Sequence, residues 1–415
     1  MSSTIKSIHA QEIFATRGHL GLHVSVRTQE GIQGIATPMI GISVGKYEAK
    51  FLFDGGKRWF GRGVRKAVNH VNKIIAPALK NMDVMQQRAI DNAMIELDGT
   101  HEKSRLGANA IVGVSLAVLK AAANSTGVPL YRYLGGMNAR TLPCPIIGCG
   151  TAGTYRNPGQ TRLFKPSFEF AAFGATSFAE SVYLARLAEA ELKTIISRKY
   201  GIRAIRRRNI LSEVKDDCDA LTAMTAAIDN TGYTGKIGIF IDCAAGCYYD
   251  SVTDTYHGLF SASRKTRDEL MELYDKFVKE YPVIVLEDPL HEDDYEGHAI
   301  ITRELGIEIV GDDLFVTNPR RLQMGIELGA ANAMVLKIPQ VGTVTEALEA
   351  AQLAQKHGYS VGPCASRGGA SHISDFAVGL NTGQVRNTSN LNRLLEIEHE
   401  LGGAARFLGR ASFHT

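Results

Sequence analysis

The chain has 415 residues, 45% hydrophobic and 21% charged, with a formal net charge of +3; this is the composition of a soluble globular protein long enough for two domains, and it excludes a chain dominated by disorder. So small a charge, with no run of Lys and Arg interleaved with aromatics, excludes a nucleic-acid groove. The N-terminus lacks a signal-peptide h-region and no stretch reaches about 18 apolar residues, so a cytoplasmic protein without a membrane partner is expected.

Taken in order, Ser7 to Val26 alternates apolar and polar residues as strands do, Gly31 to Gly45 reads as a glycine-containing loop, and Lys66 to Ala123 carries apolar residues at helical spacing. These predict a small α+β domain over residues 1–140, closed by the helix-breaking stretch Leu142 to Pro145. The six cysteines, Cys144, Cys149, Cys218, Cys243, Cys247 and Cys364, form no C-x-x-C pair and are expected as free thiols. Cys243 and Cys247 lie four apart, but zinc would need further Cys or His partners.

From Lys236 the pattern changes to short β-branched runs, each followed by a helix-like stretch: KIGIFID to Asp242, VIVLED at Glu287 and Asp288, IEIVGDD at Asp312, AMVLK at Lys337, and YSVG at Gly362. From Glu287 onward the interval is about 25 residues, the length of one βα unit, so residues 141–415 are predicted to be a β/α barrel. A barrel gathers the C-terminal ends of its strands on one face, where Asp242, Glu287, Asp312 and Lys337 would converge. Three carboxylates there repel unless a cation intervenes, and their hard oxygens suit Mg²⁺. A lysine beside them could act as a general base toward a proton α to a carboxylate.

LDGT at Leu97 to Thr100, KSRLGANAIVGVSLA at Lys103 to Ala117, IDCAA at Ile241 to Ala245, LEDP at Leu286 to Pro289, GDDLFVTNP at Gly311 to Pro319 and VLKIPQVGT at Val335 to Thr343 resemble enolase over nearly the whole chain. The resemblance implies an α/β fold, an enolase-like (β/α)8 barrel after a smaller α+β domain, with an antiparallel strand pair and two helices before the regular units, and a homodimer. It implies Mg²⁺ on Asp242, Glu287 and Asp312, Lys337 as the base, and Glu169 of FEF as the glutamate of the family's QEF motif.

Several family positions differ. The P-S-G-A-S-T-G loop, whose first serine helps bind a second Mg²⁺, appears as Pro38 to Gly45 with Met39 or Ile40 at the serine, implying one metal rather than two. The histidine of G-G-S-H-A becomes Tyr155, a candidate proton donor. The acid of G-D-E-G-G gives way to Arg206, Arg207 and Arg208, whose guanidinium forks could receive a second anionic group. The phosphate-binding S-H-R-S stretch becomes Gly362 to Ala365, with Cys364 read as a small neutral filler. Ser366, Arg367 and His372 could rebuild an anion site in shifted register. The lysine that holds the substrate carboxylate is expected in a shortened segment near Asn390.

Losing a general acid costs about 10²–10⁴-fold in rate. The expectation is therefore a Mg²⁺-dependent enzyme that forms an enolate from a small anionic carboxylate, with a phosphate or phosphonate as possible second substrate, and is not an ordinary 2-phosphoglycerate dehydratase. Carboxyphosphonoenolpyruvate synthase of phosphonate natural-product pathways is the precedent among enolase relatives. A non-catalytic paralogue and a true enolase with relocated groups are the other readings.

Overall fold

The structure, a computed structural model, describes residues 3–14, 20–39, 44–153, 165–201, 209–367, 370–386 and 391–414. In the N-terminal part, strands β1 (Ile5–Phe14), β2 (Leu20–Thr28) and β3 (Gln33–Ala36) form an antiparallel meander. Their alternation turns Ile5, Ile8, Leu22, Val24 and Val26 inward, against the helical stretch 65–79 and helix α2 (Ala108–Thr126), on which helix α1 (Gln87–Asp98) packs in turn. By length and composition α2 could cross a membrane, but 83% of its apolar window is buried inside the protein, as befits a core helix.

The segment read as a loop from Gly31 to Gly45 contains β3, paired to β2 from Arg27↔Gln33 to Val24↔Ala36. Gly34 marks a close approach and not a turn: a Cβ there would lie 2.0 Å from the Ala117 carbonyl oxygen and 2.3 Å from Ala121 N on α2. Only glycine lets strand and helix meet this closely.

The second part is a ring of eight strands: β4 (Cys144–Gly150), β5 (Ser167–Ala171), β6 (Gly238–Asp242), β7 (Val283–Glu287), β8 (Glu308–Gly311), β9 (Ala333–Leu336), β10 (Ser360–Pro363) and β11 (Gln384–Val385). One hydrogen-bonded sheet holds all eight, and the bridges Val361↔Gly383 and Cys364↔Arg386 close it. β5 runs antiparallel to both β4 and β6, and helices α3 (Phe178–Tyr200) and α4 (Asp217–Asn230) precede β6. From β6 onward neighbouring strands are parallel. This is the α/β barrel with the irregular start that the resemblance implied.

The outer helices begin where the sequence supplies caps. The side chains of Ser177, Asp216, Thr266, Asp294, Asn318 and Thr343 each accept a first-turn N–H, at the starts of α3, α4, α5 (Arg267–Glu280), α6 (Tyr295–Leu305), α7 (Pro319–Leu328) and α8 (Val344–Lys356), and Glu269 completes a capping box with Thr266. Inside the ring, Cys144, Ile146, Ala171, Phe240, Val285, Val310, Ala333, Val335 and Cys364 form a packed core. The six cysteines are free, and burial pushes the thiol of Cys144 up to about 12. Such thiols are inert filling.

Candidate active site at the barrel mouth

Parallel strands end on one face, so a strand-end residue needs no long loop to reach the pocket. Asp242 and Glu287 are the last residues of β6 and β7 and stand opposite each other in register. Asp312 follows β8 directly and Lys337 follows β9. All four come together. The Lys337 ammonium contacts one oxygen of Asp312, and Gln340 Nε2 donates to the other at 2.8 Å. Gln340 is held in turn: Thr317 Oγ1 donates to its Oε1 at 2.9 Å, and its amide lies 3.5 Å from Glu48. Glu48 accepts Gly45 N at 2.9 Å, so the N-terminal segment is tied to the barrel mouth.

Two cations not singled out in the sequence complete the cluster. Arg386, immediately after β11, is 4% exposed and stacks its guanidinium 4.1 Å from the Phe240 ring centroid. It contacts Glu287 and approaches Asp242 at 3.5 Å and Glu169 at 3.9 Å. Lys165, just before β5, meets the same Oδ2 of Asp242 that Arg386 approaches. Burial, and next the charge of Arg386, push Lys165 down to about 8, against the pull of Glu169. Burial pushes Arg386 down to about 10, with Glu169 opposing. Arg386 was legible by the strand-end rule that singled out Lys337, but its strand is only two residues long and gives almost no β pattern.

The donor set fits Mg²⁺. Glu287, Asp288 and Asp312 each offer an oxygen within 4.8 Å of the others. Glu287 Oε2 is buried against the Arg386 guanidinium, so this hard oxygen already holds a positive charge where a divalent cation could sit. Asp288, however, accepts the backbone N–H groups of Asp312, Asp313 and Leu314 at 3.0, 2.7 and 3.4 Å. Burial, then the charges of Asp313 and Asp312, raise its carboxyl well above the usual range. These bonds make Asp288 the clip that fixes the loop carrying Asp312, leaving Glu287 and Asp312, with Asp242 across the register, as the oxygens that could hold the ion. Asp242 stands outside the close group because Lys165 and Arg386 engage it.

Among the other expected residues, Glu169 lies on β5 and accepts from Ser167 Oγ at 3.3 Å. Ser366 lies in the turn after β10, with a buried Oγ that makes no hydrogen bond to any of the described residues. His372 is not brought to the carboxylates. It lies on helix α9 (Ala370–Gly379) and lines a separate cavity with Lys120 and Asp375, because the first turn of that helix faces the N-terminal part. Tyr155, Arg206, Arg207, Arg208 and Asn390 lie outside the described residues, as does the side chain of Arg367.

The family model of the enolase C-terminal TIM barrel domain matches residues 140–415, and that of the enolase N-terminal domain matches residues 5–134. A protein named Enolase from Methanopyrus kandleri is 44% identical over 430 residues, covering 99% of each chain. One from Thermococcus gammatolerans is 43% identical over 424 residues, and one from Methanocaldococcus jannaschii 42% over 420; each alignment covers 98% of this chain and 97% of the relative. These relatives overturn the expectation that the altered loops remove the chain from ordinary enolase chemistry, and none supports the reading as a carboxyphosphonoenolpyruvate synthase. That expectation counted each lost group at its own position. It left out Arg386, which supplies a guanidinium from the neighbouring strand. With both domains matched and end-to-end relatives of one name, the chain belongs to the enolase family.

Proposed function

We propose that the protein is an enolase, dehydrating 2-phosphoglycerate to phosphoenolpyruvate with part of its anion-binding apparatus relocated. The observation that carries this reading is the placement of Arg386 in the same buried pocket as Lys337, Asp242, Glu287 and Asp312. Cys364, where the family's S-H-R-S arginine would stand, is bridged through the backbone to Arg386 on the adjacent strand. A guanidinium absent at one position is thus regained one strand away, with the fork that matches carboxylate and phosphate.

In this reading the substrate carboxylate and phosphate enter the cationic side of the pocket, lined by Arg386 and Lys165. Lys337, fixed by Asp312 and by its own N–H to Thr317 Oγ1 at 2.9 Å, takes the C2 proton. Glu169 orders water or substrate beside Arg386. Mg²⁺, when bound, supplies electrostatic stabilisation of the negative charge that develops on the substrate carboxylate. The C3 hydroxyl then leaves as water once a proton reaches it, and the double bond of phosphoenolpyruvate forms between C2 and C3.

The test is turnover of 2-phosphoglycerate with excess Mg²⁺, comparing the native protein with Lys337→Ala. The variant should lose about 10²–10⁴-fold in kcat. A native protein that binds Mg²⁺ yet leaves 2-phosphoglycerate unchanged would refute the proposal.

The same reading includes a cytoplasmic homodimer. Phe14 and Trp59 pack edge to face at 5.5 Å and remain 69% and 41% exposed, and Phe60 is 95% exposed. Trp59 and Phe60 both have left-handed backbone, at φ 50° and 56°, which side chains of this bulk rarely adopt. An aromatic patch held out at the cost of such a backbone supports a second copy of the chain as its cover.

A further inference from the structure

The chain reverses between β8 and α7, and the middle of that turn is strained. Val316 and Thr317 are consecutive, fully buried and left-handed, at φ 43° and 56°. Both are β-branched, the residue type for which this backbone is least favourable. Strain of this kind persists only where the surrounding structure holds it, and it gathers at functional sites. Here Val316 N donates to the Asp312 carbonyl at 2.7 Å and Asn318 N to that of Phe315 at 2.8 Å. The strained turn brings the Thr317 hydroxyl under the barrel mouth.

That hydroxyl accepts the backbone N–H of Lys337 at 2.9 Å, and its one proton has two acceptors before it, Gln340 Oε1 at 2.9 Å and the Val335 carbonyl at 3.2 Å. The nearer acceptor fixes which way round the Gln340 amide lies. With Oε1 on Thr317, Gln340 turns Nε2 toward two acids, Asp312 Oδ1 at 2.8 Å and Glu48 Oε1 at 3.5 Å. Reversed, the amide would set its own oxygen against two carboxylates. Gln340 is 1% exposed, so it has no solvent to turn toward.

Asp312 is therefore gripped at both oxygens by one turn of chain. Lys337 meets Oδ2, Gln340 meets Oδ1, and Gln340 N closes the turn by donating to the Lys337 carbonyl at 2.8 Å. A carboxylate held at both oxygens has a fixed plane, so the lone pairs it can offer to a cation beside Glu287 have a set direction. We propose that Gln340 is a positioning residue: its amide, oriented by the Thr317 hydroxyl, sets the plane of the Asp312 carboxylate and so governs both the Mg²⁺ affinity of the acid cluster and the aim of Lys337. The effect on Lys337 rests on the enolase reading above, whereas the effect on Mg²⁺ affinity does not.

The experiment is calorimetric titration of Mg²⁺ into the full chain, for native protein, Gln340→Met, Thr317→Val and Thr317→Ser, each first shown to keep the native circular dichroism. Methionine fills the space of glutamine without its amide. Valine keeps the branched shape of threonine without the hydroxyl, and Val316 already shows valine in this backbone; serine keeps the hydroxyl without the branch. Groups that orient a metal ligand typically contribute about 10–100-fold in metal affinity or activity. Gln340→Met should therefore raise the Mg²⁺ Kd about tenfold or more, Thr317→Val should raise it less, and Thr317→Ser should stay close to native. With Mg²⁺ saturating each protein, Gln340→Met should still turn over 2-phosphoglycerate with kcat about tenfold lower and KM little changed. A purely structural role would lower the urea midpoint and leave the Kd of the folded protein at the native value. Equal Kd values for native protein, Gln340→Met and Thr317→Val would overturn the proposal, and so would Thr317→Ser as weak as Thr317→Val, which would make shape and not the hydroxyl the cause. An unchanged kcat at saturating Mg²⁺ would overturn the effect on Lys337. A native protein that binds Mg²⁺ but leaves 2-phosphoglycerate unchanged would sink the enolase reading, and the calorimetric comparison would still decide the role of Gln340.

Discussion

Replacing Arg386 by Met isolates the electrostatic part of the barrel-mouth cluster. The methionine can keep the stem of the side chain against Phe240, but it removes the cation beside Glu287, Asp242 and Glu169. Four carboxylates, those of Glu169, Asp242, Glu287 and Asp312, then face two cations, Lys165 and Lys337, in place of three. Removing one partner from a buried ion pair costs about 3–5 kcal/mol, because the other charge stays buried. That figure should appear in full only without divalent metal. Mg²⁺ stabilises both folded proteins, so the gap closes only by the ratio of their affinities: a site that binds about 100-fold more tightly once the competing guanidinium is gone regains about 2.7 kcal/mol. The assay is urea unfolding followed by circular dichroism, for native protein and Arg386→Met, in EDTA and in excess Mg²⁺. The variant should be about 3–5 kcal/mol less stable in EDTA, and the gap should shrink by half or more with Mg²⁺. An equal deficit in both buffers would mean that Arg386 acts through packing alone and would refute the reasoning.

Glu308, fully buried at the start of β8, is raised by burial to about 7 although Gln384, the backbone N–H of His414 and Ser360 donate to it. The folded state therefore holds this proton where the unfolded chain releases it, and stability should fall by about 3 kcal/mol as pH rises from about 4.5 to 7, then level off. Glu308→Gln should abolish that slope in urea midpoints taken at pH 5 and pH 8, and a native protein with no such slope would contradict the assignment. Trp59 is the single tryptophan of the chain, so its emission reports the aromatic patch. On dilution through the dimer dissociation range it should shift to longer wavelength as the mass measured by light scattering halves, whereas a monomer at all concentrations would leave the patch without the cover proposed here.

Where apolar spacing and strand length are generous, the sequence showed the fold directly. The runs ending at Asp242, Glu287, Asp312 and Lys337 are strands of four or five residues, bounded where the β-branched residues stop. The strand-end rule then brought four site residues to one pocket without any knowledge of the loops. What escaped was carried by contacts and not by pattern. β3 is four residues long and contains Gly34, a residue that reads as a turn until α2 is found against it. Lys165 lies before a short antiparallel strand, so it reaches the mouth from the strand's N-terminal end, the reverse of the parallel strands. Asp288 was noted in its motif, but its work is to accept three backbone N–H groups from the next strand's loop, which no spacing reveals.

The substitutions at the substrate-binding positions misled for a related reason. Reading position by position treats each lost group as a lost function, which holds only if every group acts from its own place in the chain. A closed barrel relaxes that condition, because neighbouring strand ends lie about 5 Å apart while a lysine or arginine side chain reaches farther than that. Cys364 and Arg386 are 22 positions apart in sequence but joined by a backbone bridge, so an arginine on either can place its guanidinium in the same pocket. The residues that escape this freedom are those whose role fixes the atom as well as the charge. In the proposed reaction Lys337 presents one amine to one carbon, and Asp242, Glu287 and Asp312, as the proposed ligands, could not be exchanged between strands without moving the ion. Those four stand at strand ends, and in the reading proposed here the anion-holding cations are the groups that have moved around the ring.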